Sequence, residues 1–169
     1  METRIYVACL ASYNNGDLFG KWIDLQEMED VDVLREEIQE MLKASPAPGA
    51  EEWRVDDSEG LPKPLRGEWP DLDELMQYAE NVASVDEPEA YRACCENQHS
   101  VCSLEEFEEV FMGHYESGPD FAEEYYHERG EELGPLEGYI DWERVWHGEF
   151  DCAGFWTQRT DAGVYVFAG

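Results

Sequence analysis

The first 56 residues alternate between strand-like and helix-like patterns of hydrophobic positions. Residues 4–10 (RIYVACL), rich in β-branched and aromatic side chains, predict a buried strand, and residues 21–25 (KWIDL), which alternate in polarity, predict a second strand. Residues 12–20 between them predict a loop. From Asp30, a suitable N-cap, apolar residues recur at helical spacing. Residues 52–56 (EWRVD) alternate again as a third strand. This pattern predicts a small sheet covered by one helix.

The middle of the chain carries helical patterns only. Residues 57–70 contain three of the eight prolines and two glycines, which predicts a linker or a long ordered loop. Asp71 is expected to cap a helix, and a second helix has Pro88 in its first turn, where proline is tolerated. We therefore expect a small α/β domain over residues 1–60 and a helical domain over residues 61–102.

The last third of the chain mixes helical patterns with a β-hairpin. One helix is predicted from Ser103 to about Met112, and another begins at Gly118. Residues 154–167 read as two strands joined by a short turn. We expect residues 103–169 to form a third small domain of helices and antiparallel sheet, so the predicted fold class is α+β.

The charge balance limits the partners of this protein. Its 41 acidic and 11 basic residues give a formal net charge of −30, which disfavours nucleic acid and anionic membrane and favours a basic surface or cations. A compact globule of this mass exposes roughly 8,500 Å², or about 280 Å² per net charge. B-form DNA exposes about 110 Å² per charge. The chain can match that density only if it is elongated or if its charges lie on one side, and 30 charges correspond to about 15 base pairs.

The acidic residues are most concentrated between Leu104 and Glu132, a segment that also contains many aromatic residues. Because Phe and Tyr side chains interrupt the carboxylates, this segment is expected to fold and to hold its charges at fixed positions. Its single basic residue is Arg129. A solvated acidic face, as in salt-adapted proteins, is the alternative interpretation, although solubility requires a net charge of only about 2–8. The carboxylates predicted to contact a partner are Glu105, Glu106, Glu108, Glu109, Glu116, Asp120, Glu123, Glu124, Glu128, Glu131 and Glu132.

Catalytic and metal-binding patterns are weak in this sequence. There is no nucleophile elbow, phosphate-binding loop, HExxH motif or complete calcium loop, so we expect neither a cofactor nor an enzyme. A zinc site from Cys94, Cys95, His99 and Cys102 remains open, but adjacent cysteines are poorly spaced for tetrahedral ligation. The odd number of cysteines, five, and the absence of a signal-peptide pattern or a long apolar run predict a reduced cytoplasmic protein.

Several runs resemble the ArdA family of antirestriction proteins, in the same order along the chain. Residues 4–24 resemble the opening of that family: a strand ending in Leu, a Tyr-Asn-x-Gly loop and a Gly-x-Trp strand. Residues 121–130 (FAEEYYHERG) resemble its acidic antirestriction motif. After residues 139–143 (YIDWE), many relatives carry an Arg-Asp-Leu run where this chain has HGEF. The other matching runs are Glu52-Trp53 with Asp56, Gly67-Glu68-Trp69-Pro70, and Val164-Tyr165-Val166-Phe167.

The resemblance implies both a shape and a function. Members of this family are elongated, consist of three small domains, and dimerise through the third. Their acidic surface mimics bent B-form DNA and occupies the DNA groove in the methyltransferase and specificity core of type I restriction–modification enzymes, which protects mobile genetic elements. The carboxylates named above then stand in for phosphates. Two alternatives stay open: an acidic metal-binding protein or enzyme with a carboxylate site, and a protein that is merely salt-adapted.

Overall fold

The computed structural model describes residues 1–130 and 133–169. The chain divides into two compact units, Met1–Ser103 and Leu104–Gly169. Within the described residues the fold is α+β with two small antiparallel sheets, which confirms the predicted fold class. The division into three domains and their elongated arrangement stay predictions.

The first unit is built on a three-stranded antiparallel sheet. Its strands are β1 (Arg4–Cys9), β2 (Gly20–Asp24) and β3 (Trp53–Glu59), with β1 in the centre. The predicted third strand ended three residues too early, because β3 pairs along the whole length of β1 and continues past a bulge between Tyr6 and Val7. The central strand is the most buried of the three, as the apolar run at the start of the chain predicted.

Four helices complete the first unit. Asp30 and Asp71 cap α2 and α3 as predicted, because each carboxylate accepts backbone N–H bonds from the first turn of its helix. Residues 12–20, predicted as loop, begin within a short helix whose N–H groups are satisfied locally. The helices are α1 (Leu10–Asn14), α2 (Val31–Lys43), α3 (Leu72–Ser84) and α4 (Pro88–Gln98), with short 3-10 turns at Leu25–Glu27 and Lys63–Leu65.

A buried polar network fixes the end of the first unit. The Tyr91 hydroxyl donates to the carbonyl of Cys102 at 2.5 Å, and the Asn81 amide donates to the same hydroxyl at 2.8 Å. Both side chains are buried, so these bonds replace the water that the groups lose on folding. The chain that leaves α4 is therefore held against α3 and α4 before the second unit begins.

The second unit contains a strand that the sequence pattern missed. Helix α5 (Leu104–Val110) ends before strand β4 (Phe111–Tyr115), whereas the sequence pattern predicts helix to about Met112. The prediction was wrong because β4 pairs with the last strand of the chain, and a bulge at Gly113, with φ +124°, sets their register. The other strands are β5 (Trp156–Thr160) and β6 (Gly163–Phe167), and β6 lies between β4 and β5.

Helix α6 (Gly118–Glu128) packs on an aromatic core in the second unit. Phe121 contacts Trp146 and Phe150 edge to face, with ring centroids 6.0 and 5.1 Å apart. These rings and Val166 of β6 form the centre of the core. The run that departs from the family pattern lies in a π-helical turn (Trp146–Phe150) that follows the short helix α7 (Trp142–Val145).

Candidate functional site: an acidic surface on the second unit

The predicted carboxylates lie at the surface of the second unit. Nine of the eleven are within the described residues, and eight of these nine are exposed while Glu123 is half-buried. Glu131 and Glu132 lie outside the described residues. The exposed eight are Glu105, Glu106, Glu108, Glu109, Glu116, Asp120, Glu124 and Glu128.

Helix α6 is oriented so that its acids face solvent. Phe121 and Ala122 are buried on one side of the helix, and the hydroxyl of Ser117 caps its start by accepting the N–H of Asp120 at 3.3 Å. The same hydroxyl donates to the Asp120 carboxylate. Gly118 lies against the indole of Trp146 so closely that a methyl group would not fit. Packing on one side therefore determines which face of α6 carries the charge.

Three acids form a stripe along this exposed face. Asp120, Glu124 and Glu128 follow one another at intervals of four residues, which places them about 6 Å apart along the helix axis. The pKa of the Tyr115 phenol is raised, mainly by burial and secondly by the negative charges of Glu124 and Glu128. The stripe is thus a fixed line of negative charge.

Basic residues neutralise the two units unequally. In the first unit, six of the eight lysines and arginines form ion pairs with carboxylates. In the second unit, the basic partners of carboxylates among the described residues are histidines, which carry a charge only when protonated: His127 lies 3.8 Å from Glu123 and 3.3 Å from Glu137, and His147 lies 3.1 Å from Asp151. The 17 acids and three arginines of residues 104–169 therefore leave a largely unneutralised surface.

Arg129, the one base within the acidic segment, is held by an aromatic ring. Its guanidinium carbon lies 5.0 Å from the ring centroid of Tyr125, and its side chain donates to the hydroxyl of the same tyrosine. Among the described residues, no arginine or lysine forms an ion pair with Glu124 or Glu128. The stripe therefore keeps its charge available for a partner.

The sequence prediction left out part of this surface. Glu137, Glu143 and Glu149 belong to the second unit and are also exposed, but they lie beyond the densest run of carboxylates. Counting charges over the whole of residues 103–151, rather than over the densest stretch, would have included them.

The candidate zinc ligands form a sulfur cluster in the core of the first unit. The sulfurs of Cys95 and Cys102 are 3.2 Å apart, that of Cys94 is 3.7 Å from Cys102, and all three residues are buried. His99 is exposed, and its ring contacts the carbonyl of Asn97. Among the described residues, no group of three or more ligand side chains is arranged to hold a metal ion. Nor does any described helix have the length and apolar character required to cross a membrane.

Taken together, the fold and this surface define an acidic α+β protein with many carboxylates held at the surface of the second unit. The family profile described as antirestriction protein (ArdA) matches residues 5–159. Because that match covers most of the chain, this chain belongs to the ArdA family of antirestriction proteins. No curated protein matches the sequence.

Proposed function

We propose that this chain inhibits type I restriction–modification enzymes by mimicking B-form DNA. The exposed carboxylates of the second unit stand in for phosphates and meet the lysines and arginines that line the DNA groove of the methyltransferase and specificity core. The observation that carries this proposal is that, among the described residues, no lysine or arginine forms an ion pair with the exposed Glu124 and Glu128 of α6, together with membership of an antirestriction family. Blocking that groove would protect a mobile genetic element from its host's restriction enzymes.

The number of charges supports this role. The second unit has a net charge of −14, from its 17 acids and three arginines, which equals the charge of about seven base pairs. The proposal includes the elongated arrangement of three small domains and a homodimer through residues 103–169, which would double the length of the array. It also includes a cytoplasmic location, no enzymatic activity, and no direct binding to nucleic acid or membrane, since like charges repel.

Competition with DNA tests the proposal. Purified protein should displace labelled duplex from a type I enzyme but not from an unrelated DNA-binding protein of similar basic charge. The affinity should fall steeply as salt increases from about 50 to 200 mM, because the attraction is collective and screened. An affinity that is independent of salt would contradict charge mimicry.

Neutralising three acids of α6 tests which surface binds. The combined variant Glu123→Gln, Glu124→Gln and Glu128→Gln should weaken binding by about 0.6–3 kcal/mol, at roughly 0.2–1 kcal/mol per pair, which is about threefold to over a hundredfold. A matched control changes three exposed acids of the first unit, Glu29, Glu36 and Glu40, and gives the same net charge. Equal losses in the two variants would show that total charge, rather than the second-unit surface, determines binding.

A further inference from the structure

A cleft beside strand β3 exposes two tryptophans on the first unit. It has a volume of 360 Å³ and is lined by Leu10, Glu51, Glu52, Trp53 and Trp69. Trp69 is 65% exposed, an unusual state for so large an apolar side chain. Ligand pockets range from about 300 to 1,000 Å³, so this cleft is suited to a small group such as one side chain.

The Trp69 wall of the cleft is held in place before any partner arrives. The N–H of Val55 in β3 donates to the carbonyl of Glu68 at 2.9 Å, and Arg54 forms an ion pair with the Glu68 side chain at 3.1 Å. Pro70 follows Trp69 directly and restricts its backbone to extended conformations. Because the backbone is fixed on both sides, little ordering of the main chain is required when a ligand binds.

The chemistry of the cleft favours a cation. An indole face attracts guanidinium and ammonium groups, and the charged residues that line the cleft, among those the structure describes, are the exposed Glu51 and Glu52. In the same unit, the guanidinium of Arg54 stacks on the ring of Tyr13, with its central carbon 4.2 Å from the ring centroid. Within the described residues, no such cation of the chain itself covers Trp69.

We propose that the cleft between Trp53 and Trp69 binds an arginine side chain on the basic surface of the protein that this chain inhibits. The guanidinium of that arginine stacks on the indole of Trp53 or Trp69, and the carboxylates of Glu51 and Glu52 accept hydrogen bonds from its N–H groups. The identity of the partner rests on the proposed function, whereas the binding of a cation in the cleft does not. The cleft adds an aromatic contact on the first unit to the charge array of the second.

A small-molecule titration tests the cleft without any enzyme. N-acetyl-arginine amide, added to the full chain, should shift the indole N–H resonances of Trp53 and Trp69 in NMR spectra. Its uncharged isostere, N-acetyl-citrulline amide, should not shift them, and Trp69→Leu should abolish the response of Trp53. Equal shifts with the two amides, or no shift with either, would overturn the proposal.

Binding to a purified type I enzyme at low and at high salt tests the role of the cleft. Trp69→Ala should weaken binding about threefold to thirtyfold, as expected for a cation–π contact of intermediate to full burial. The loss should persist at high salt, where charge attraction is screened. Trp69→Phe should recover part of the affinity, and Leu18→Ala, which removes another exposed apolar side chain of this unit, should have no effect.

The two proposals fail in different ways. If the wild-type chain binds the enzyme and Trp69→Ala binds equally well, the role of the cleft is overturned while DNA mimicry stands. If the wild-type chain binds no type I enzyme but its indoles respond to arginine amide alone, the proposed function fails and the cation site stands.

Discussion

Replacing Gly118 with alanine tests how far the acidic face of α6 depends on the aromatic core beneath it. An added Cβ would lie 2.5 Å from Cε2 and 2.6 Å from Cδ2 of Trp146, closer than real Cβ contacts. Trp146 is only 8% exposed and stacks on Phe150, with centroids 5.8 Å apart, so the ring has little room to retreat. Overpacking of this kind costs about 1–3 kcal/mol.

A matched control separates that clash from the ordinary effect of alanine. Gly148 lies in the same unit, in the π-helical turn, and a Cβ there would meet nothing within 4 Å. Alanine is a better helix former than glycine, by at most about 0.8–1 kcal/mol in a helix interior, so any such gain opposes the clash at Gly118 and acts without a clash at Gly148. Gly148→Ala should therefore be neutral or stabilising, while Gly118→Ala should be destabilising by about 1–3 kcal/mol relative to it.

Calorimetry of the full chain measures the difference. For a domain of this size, 1 kcal/mol shifts the melting temperature by roughly 4–8 °C, so the transition of the second unit should lie at least about 4 °C lower in Gly118→Ala than in Gly148→Ala. Both variants keep the net charge of −30. If Gly118→Ala loses enzyme inhibition and Gly148→Ala does not, the cause is therefore the position of the charges and not their number. Identical melting temperatures would refute the close packing of Gly118 against Trp146.

Two further predictions concern the tyrosines and cysteines of the chain. Burial raises the pKa of Tyr78 and Tyr91, and the hydrogen bond with the Cys94 thiol, with burial, raises that of Cys102 to about 12. A group whose pKa is raised on folding stabilises the folded protein fully at pH values below its pKa in the unfolded chain, which is about 8.5–10 for these thiols and phenols, and this stabilisation is lost as the pH rises further. The urea midpoint of unfolding should therefore fall as the pH rises from about 9 to 12. A midpoint that does not change with pH, or a pH dependence that Tyr78→Phe leaves unaltered, would contradict this prediction. Ellman's reagent should label one thiol rapidly, because Cys152 is exposed and the other four cysteines are buried, and Cys152→Ser should remove that reaction; rapid labelling of several thiols would contradict the burial.

Local signals in the sequence predicted the helices best. Asp30 and Asp71 were identified as caps because a carboxylate before an apolar helical pattern acts on N–H groups two and three residues away. The buried face of α2 followed from spacing alone, since Leu34, Ile38 and Met41 recur at the helical period. Interactions within one turn of helix are encoded in neighbouring residues, so they can be read without knowing the fold.

Strand β4 shows where that reading fails. The run from Phe111 to Tyr115 follows a helix without a proline to end it, and its partner, β6, lies at the end of the chain. The backbone hydrogen bonds between β4 and β6 outweigh the weak local preference of this run for helix. No residue near Gly113 signals a pairing that distant residues provide.

The sequence by itself determined the charge, the fold class and the family of this protein. Those properties depend on composition, on periodicity and on runs of neighbouring residues. Tertiary structure decided which carboxylates remain without basic partners and which aromatic rings stay at the surface. Trp53 and Trp69 line one cleft because a backbone bond joins Val55 to Glu68, and the stripe on α6 faces solvent because Phe121 packs inward. Such outcomes depend on contacts between residues far apart in the chain, which no local pattern records.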